Sequence, residues 1–217
     1  MNRLTPPRQG KSVILVNGIP ASGKSTLTRA IADRFGFPVL TLDSLKEPFM
    51  AAFAPVDRQL NRQLGCAAYQ AIWRIVGQAP QGSVFIIDAW FGFQPKSVLE
   101  QGLRDAGVDR ALELWLAITP DEAVSRYQAR LAQRLPGHPG AEYLPELRRL
   151  AEQAAPMAIG PQREVDACGD ADKEALYRWL LRHLDGDDYT YALSLRRDET
   201  SDESTALSAT RRGSSAV

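Results

Sequence analysis

The chain has 217 residues, and its 26 Lys and Arg balance its 26 Asp and Glu. That length suits one α/β domain with a sizeable core, and the zero net charge argues against broad electrostatic binding to nucleic acid. Two widely spaced cysteines, Cys66 and Cys168, form no Cys-x-x-Cys pair, which argues against a disulfide framework or a zinc site and fits a reducing compartment.

Residues 1–11 read as an N-terminal extension. Val13 to Asn17 is an apolar strand, followed at once by Gly18-Ile19-Pro20-Ala21-Ser22-Gly23-Lys24-Ser25. This fills the pattern G-x-x-x-x-G-K-[ST] in a strand–loop–helix setting. The glycines let successive backbone N–H groups turn inward onto phosphate oxygens, and the helix that opens at Lys24 adds the positive end of its dipole. Gly18 through Thr26 are therefore the expected nucleotide-binding residues. Lys24 can reach the β- and γ-phosphates, and the Ser25 hydroxyl can serve Mg²⁺.

Lys24 to Phe35 reads as a helix stopped by Gly36, with Leu27, Ala30, Ile31 and Arg34 at helical spacing. Pro38 to Leu42 is a second strand, ended by Asp43. Helices follow over Ser44–Phe53 and Arg58–Gly77, the second with Leu60, Leu64, Ala67, Ala71, Ile72 and Ile75 near a 3.6 period. Val84 to Ile87 is a third strand, closed by Asp88, and Ser97 to Ala106 a helix stopped by Gly107. Leu112 to Ile118 is a fourth strand. Thr119-Pro120-Asp121-Glu122 is a helix start, with a capping threonine, a first-turn proline and a glutamate that completes a capping box. That helix should reach Leu135 and run into a Pro136–Gly140 loop. Tyr143–Ala154 reads as a helix, Arg163–Ala167 as the last strand, and Asp172–Leu184 as the closing helix. Residues 185–217 are rich in Ser, Thr, Asp, Glu and Arg and read as a disordered tail. The expected P-loop domain is 12–184.

Strands alternating with helices imply βαβ units, a mainly parallel sheet and a three-layer α/β/α fold. Ligands in such folds bind beyond the carboxyl ends of the strands. Asp43 lies there and is the candidate base that orients an acceptor hydroxyl, a helix cap being the structural alternative. Asp88 ends an apolar strand as a Walker B acid does, and is the second expected Mg²⁺ residue beside Ser25. Binding of the acceptor is the alternative for it. Arg126, Arg130 and Arg134 stand four apart, a spacing that stacks guanidinium groups on one helical face. Arg130 and Arg134 are expected at the transferred phosphoryl group and Arg126 at the nucleotide, on a lid that closes over the site. His138 reads as a lid residue without a metal cluster. Lys46, Arg62 and residues around Trp90–Phe93 are candidates for the acceptor side, with packing under a loop the expected role of at least some of these aromatics.

These motifs resemble the P-loop small-molecule kinases of the nucleoside-monophosphate-kinase-like branch, near gluconate and shikimate kinases, chloramphenicol phosphotransferase and zeta-type toxins. Gly18–Ser25, Leu42-Asp43 and Arg126-x-x-x-Arg130-x-x-x-Arg134-Leu135-Pro136-Gly137-His138 carry the resemblance. Asp43-Ser44-Leu45-Lys46 departs from the Asp-x-x-Arg of several relatives. The resemblance implies ATP and Mg²⁺, an arginine-bearing lid, and an acid at Asp43 that activates an acceptor hydroxyl. The expected partner is a small-molecule acceptor: a sugar, sugar acid or antibiotic. Polynucleotide or nucleotide-sugar phosphorylation, and an ATP-hydrolysing regulatory module, are the alternatives. No signal peptide or membrane-spanning run is apparent in the sequence, so a cytoplasmic enzyme with no membrane partner is expected.

Overall fold

The computed structural model describes residues 10–166 and 172–184. Five parallel strands form one sheet in the order β2-β3-β1-β4-β5. They are β1 (Lys11–Asn17), β2 (Val39–Thr41), β3 (Val84–Asp88), β4 (Val108–Ala117) and β5 (Gln162–Asp166). The helices are α1 (Lys24–Phe35), α2 (Leu42–Ala52), α3 (Arg58–Gln78), α4 (Lys96–Asp105), α5 (Pro120–Arg130) and α6 (Leu144–Gln153). A further helix, α7 (Lys173–Leu184), falls in a separate compact unit and carries buried Leu176, Tyr177, Leu180 and Leu184. The tail expected over 185–217 lies outside the described residues.

β1 is the central strand and is buried throughout. A run with no polar alternation is what a parallel strand covered on both faces requires. Val13 and Leu15 point into a core made with Phe85 and Ile87 of β3, Tyr69, Ile72, Trp73 and Val76 of α3, and Leu99 and Leu103 of α4. Side chains alternate along a strand, so the fully buried Ile14, Val16 and Ile86 face the other side. There α1, with buried Leu27, Thr28, Ile31 and Phe35, packs on β1 and β3. A smaller cluster joins Ile19 to Ala123 and Tyr127 of α5 and Leu147 of α6. It ties the loop after β1 to the base of the expected lid.

Two boundaries differ from expectation in ways that matter. The Thr41 hydroxyl accepts from Ser44 N–H at 2.9 Å, so α2 starts at Leu42. Thr41 is thus the cap, and Asp43 lies in the first turn. Helix α5 stops at Arg130 rather than Leu135, and Leu131–Gln133 tightens into a 3₁₀ turn. Pro136 has no N–H, its ring clashes with a helical carbonyl four residues back, at Ala132, and it disfavours a helical Leu135, so the last expected turn loses its support and tightens instead. Arg134 therefore leaves the helical face on which its spacing placed it, while Arg126 and Arg130 remain in α5.

Candidate active site

Register brings the expected residues together. Asp88 on β3 stands opposite Val16 on β1 and Thr41 on β2. The three strands therefore end in one row, which sets the loop after β1, Asp88 and the first turn of α2 side by side.

The loop Gly18–Gly23 wraps tightly. A Cβ on Gly18 would lie 2.5 Å from Ser22 Oγ and 3.1 Å from Leu116 O, so only glycine fits. Ala21 adopts φ 69°, a conformation that costs a non-glycine residue about 1 kcal/mol or more. Gly23 precedes α1, whose first N–H groups, those of Lys24 and Ser25, open onto the loop, while Thr26 and Leu27 N–H donate to Gly23 O at 3.1 and 3.3 Å. Ser22 is fully buried and its hydroxyl has no hydrogen-bond partner among the described residues. Ile19 buries its side chain against α5 and α6, and so offers the cradle only its backbone. Pro20 is half-buried. Lys24 Nζ donates to Gly18 O at 2.9 Å and to Ile19 O at 3.0 Å.

Lys24 is the hub of the site. Burial pushes its ammonium pKa below the usual lysine value; Asp88 and Asp43 pull it up, and Arg130 and Arg134 push it down. Four residues that sequence alone scattered over 92 positions thus act on one ammonium group. Arg126 is half-buried and is not among the charges that act most strongly on Lys24 or Asp43.

The two acids differ in environment. Asp88 is 6% exposed. Burial raises its carboxyl; Lys24, Ser25 and Thr28 lower it, and Asp43 raises it. Neither Asp88 Oδ2 nor the Thr28 hydroxyl makes a full hydrogen bond. A buried carboxylate oxygen without a donor, beside the Ser25 hydroxyl, is the donor set a hard cation takes. Asp43 is more open, with its side chain 56% exposed and 3.2 Å from Lys46 Nζ. Surrounding protein pushes its carboxyl up, but Lys46 first and Arg134 with it outweigh that, and it lies below the usual aspartate value.

Around these residues lie others, some named from the sequence and some, such as Glu47, Asn17 and Glu113, missed by it. Lys46 is buried at 6% exposure beneath Asp43. Glu47 bonds His138 in the lid loop. Phe91 is buried, and Phe91 and Phe93 pack edge-on against Tyr69, so both belong to the core. Arg62 is exposed. Asn17, at the end of β1, donates to Glu113 Oε1 at 2.7 Å and accepts from Phe91 N–H at 3.1 Å. Glu113 is completely buried and also accepts from the backbone N–H groups of Met157 and Ala158, each at 2.8 Å. A charged residue inside an apolar strand was the available signal for this network. A cavity of about 630 Å³ between α3 and α4 is lined by residues such as Tyr69, Trp73 and Gln101, and by none of the residues of this site.

No protein-family model matches the chain, and neither does any curated protein. Solved structures do. A protein of Chloroflexus aurantiacus, provisionally assigned as a kinase, is 26% identical with a TM-score of 0.72, over 82% of this chain and 100% of that one. A deoxyadenosine kinase of M. mycoides is 18% identical with a TM-score of 0.53, over 77% of this chain and 98% of that one. Another structure of that enzyme holds dATP. At this identity the second likeness concerns the fold alone. The chain has the α/β fold of P-loop kinases. Among the described residues, no helix is long and apolar enough to cross a membrane.

Proposed function

We propose that the chain is an ATP-dependent kinase that transfers the γ-phosphoryl group to a hydroxyl of a small metabolite. One observation carries this reading: the strand register sets the P-loop, Asp88 and the first turn of α2 with Asp43 side by side, and Asp43, Asp88 and the Arg130–Arg134 stretch all act on Lys24. Phosphoryl transfer depends mostly on positioning and on stabilising spread charge, and these residues supply both.

The loop Gly18–Gly23 and the first N–H groups of α1 cradle the phosphates. Lys24 exchanges its two carbonyl partners for phosphate oxygens. Ser25 and Asp88 would hold Mg²⁺, which neutralises charge across the β- and γ-phosphates when bound. Asp43, beside open space, orients the acceptor hydroxyl and takes up its proton as the bond to phosphorus forms. Arg130 and Arg134 balance charge on the transferred group, and Arg126 stands further out on α5. The acceptor lies toward α2, near Lys46, and is a sugar, sugar acid or antibiotic.

The test is ATP turnover by the full chain with Mg²⁺, against sugars, sugar acids, aminoglycosides and other hydroxylated antibiotics, nucleosides and oligonucleotides. The expected result is stimulation by one small-molecule class, with a phosphorylated product gaining 80 Da (~one HPO₃) by mass spectrometry. Stimulation by oligonucleotides alone overturns the acceptor class. Absence of ATP binding overturns the whole reading.

A further inference from the structure

The lid loop is held in place by specific bonds. Asn61 Nδ2 on α3 donates to Gly137 O at 2.6 Å, and Tyr127 O–H on α5 donates to Pro139 O at 2.8 Å. Gly137 has φ 92°, and a Cβ there would stand 2.8 Å from Val56 Cβ, so the loop presses directly against the segment before α3. Between these pins sits His138, its side chain 2% exposed. His138 Nε2 is 3.0 Å from Glu47 Oε1 on α2, and Nδ1 is 2.8 Å from Arg134 Nη2. The Arg134 guanidinium lies over the Tyr127 ring, 4.8 Å from its centroid, and its buried Nε has no hydrogen-bond partner among the described residues.

The chemistry of the three groups fixes the direction of these bonds. Arginine only donates, so His138 Nδ1 must accept. Nε2 then carries the proton and donates to Glu47. We propose that Glu47 and His138 are positioning residues that hold the Arg134 guanidinium toward the phosphate site, replacing the helical backbone that no longer supports it. This rests on the kinase reading, in which Arg134 meets the transferred phosphoryl group. A bound cation is the competing explanation, because the donor atoms of Asp43, Glu47 and His138 lie within 4.8 Å of one another. Both His138 nitrogens are already engaged, however, and Lys46 Nζ occupies Asp43, so the cluster is complete without an ion.

The relay also requires His138 to stay neutral, since a proton on Nδ1 would meet an Arg134 N–H. The groups that face it are Asp43, Lys46 and Glu47 from α2 and Arg134 from the loop. Burial, Lys46 and Arg134 hold its pKa below the usual histidine value against the opposing pull of Asp43 and Glu47.

The chain has two histidines, which makes the test direct. His183 Nδ1 lies 2.8 Å from Trp179 O, an acceptor only, so that ring carries its proton on Nδ1. Nitrogen-15 spectra of the full chain at pH 7 should show one ring of each tautomer, and His183→Gln assigns them. Glu47→Ala should release His138 into a tautomer mixture, and Glu47→Gln should retain Nε2–H, since its carbonyl oxygen still accepts. In ATP turnover, Arg134→Ala should lose roughly 10²–10³-fold, the usual loss for one transition-state donor. Glu47→Ala should lose about tenfold in kcat, and adding it to Arg134→Ala should lose nothing more, as expected of residues acting as one unit. An Nδ1–H or mixed His138 in the wild-type chain, or fully additive losses, overturns the relay. The spectra need no nucleotide, so they judge the relay even if the chain fails to bind ATP, a failure that strikes the kinase reading instead.

Discussion

Glu113→Gln probes how the P-loop is anchored. The native carboxylate accepts from Asn17 Nδ2 and Met157 N on Oε1 and from Ala158 N on Oε2, with no solvent exposure. The glutamine keeps one oxygen and places an NH₂ where the other stood. If its oxygen serves Asn17 and Met157, the NH₂ faces the Ala158 N–H, donor against donor. One charge-assisted bond worth ~1.5–3 kcal/mol is lost, and the stranded donor adds ~1–3 kcal/mol. Some relaxation is available, so a loss of about 2–4 kcal/mol is expected, a large part of the ~5–15 kcal/mol that holds a domain together. At ~2–4 °C per kcal/mol for a domain of this size, the thermal midpoint should fall by roughly 4–16 °C. Circular dichroism melts measure it directly. Because Asn17 precedes Gly18, ATP affinity should fall at a temperature where the variant is still folded. A midpoint within about 2 °C of wild type would show that the three donors find other partners, and the anchoring argument would fail.

Lys24→Ala should remove most ATP-dependent activity while leaving the melting midpoint near that of wild type, and unchanged turnover would refute the P-loop assignment. Asp43→Asn should keep ATP affinity and lower transfer by roughly 10²–10⁴-fold, the range for loss of a positioned base; the opposite split, weak ATP binding with near-normal turnover at saturation, would move Asp43 to a cation role. His138→Gln should make stability less sensitive to acid. With the folded pKa of His138 below 6.5, the unfolded chain binds more protons between the two values, so wild-type stability is fully present above pH 6.5 and declines as pH falls through that window; parallel pH–melting curves for the two proteins would refute this. Of the three arginines, Arg→Lys at position 134 should lower turnover most and at 126 least, because lysine cannot reproduce the planar fork toward both His138 and phosphate; equal effects would place all three on a merely charged surface.

The residues legible in sequence are those whose partners are local. Gly18–Ser25 announces itself because one loop must supply the whole cradle. The capping box at Thr119 and Glu122 forms as expected, since both halves lie within one turn. The strand ends are readable because apolar runs stop abruptly at Asn17 and Asp88. What escaped depends on distant partners. Glu47 and His138 are 91 positions apart, and Asn17 and Glu113 are 96 apart. No periodicity connects them. Helix α3 misled in another way: apolar residues occur around much of its circumference, and the buried stripe is Gly65, Ala68, Tyr69, Ile72, Trp73 and Val76, sharing only Ile72 with the expected one. The aromatic residues won the core because each buries more surface than the competing leucine or isoleucine. Arg134 was misplaced because a four-residue spacing was carried past Arg130, where α5 ends and the chain tightens into a 3₁₀ turn.

The opposite pKa shifts of the two acids separate their roles. Asp88 is buried, its carboxyl raised and one oxygen without a donor. Such a group gains most from a positive charge arriving beside it, because that charge offsets the desolvation it already bears. Asp43 is already satisfied electrostatically by Lys46 and Arg134 and is held below the usual aspartate range. A carboxylate so stabilised is a poor proton acceptor, far from the near-neutral optimum for general base catalysis. A loose phosphoryl-transfer transition state asks little of a base, since the acceptor hydroxyl keeps its proton until the bond to phosphorus is well formed. Asp43 then fixes the hydroxyl's direction and takes its proton late, once the forming bond to phosphorus has made that oxygen acidic. Lys46 completes the arrangement: its buried ammonium group lies against Asp43 on the same face of α2 and holds that carboxylate in one orientation. The division between a carboxylate that awaits a cation and one that is already neutralised follows from burial and neighbours, which an aspartate closing β3 and one in the first turn of α2 do not share.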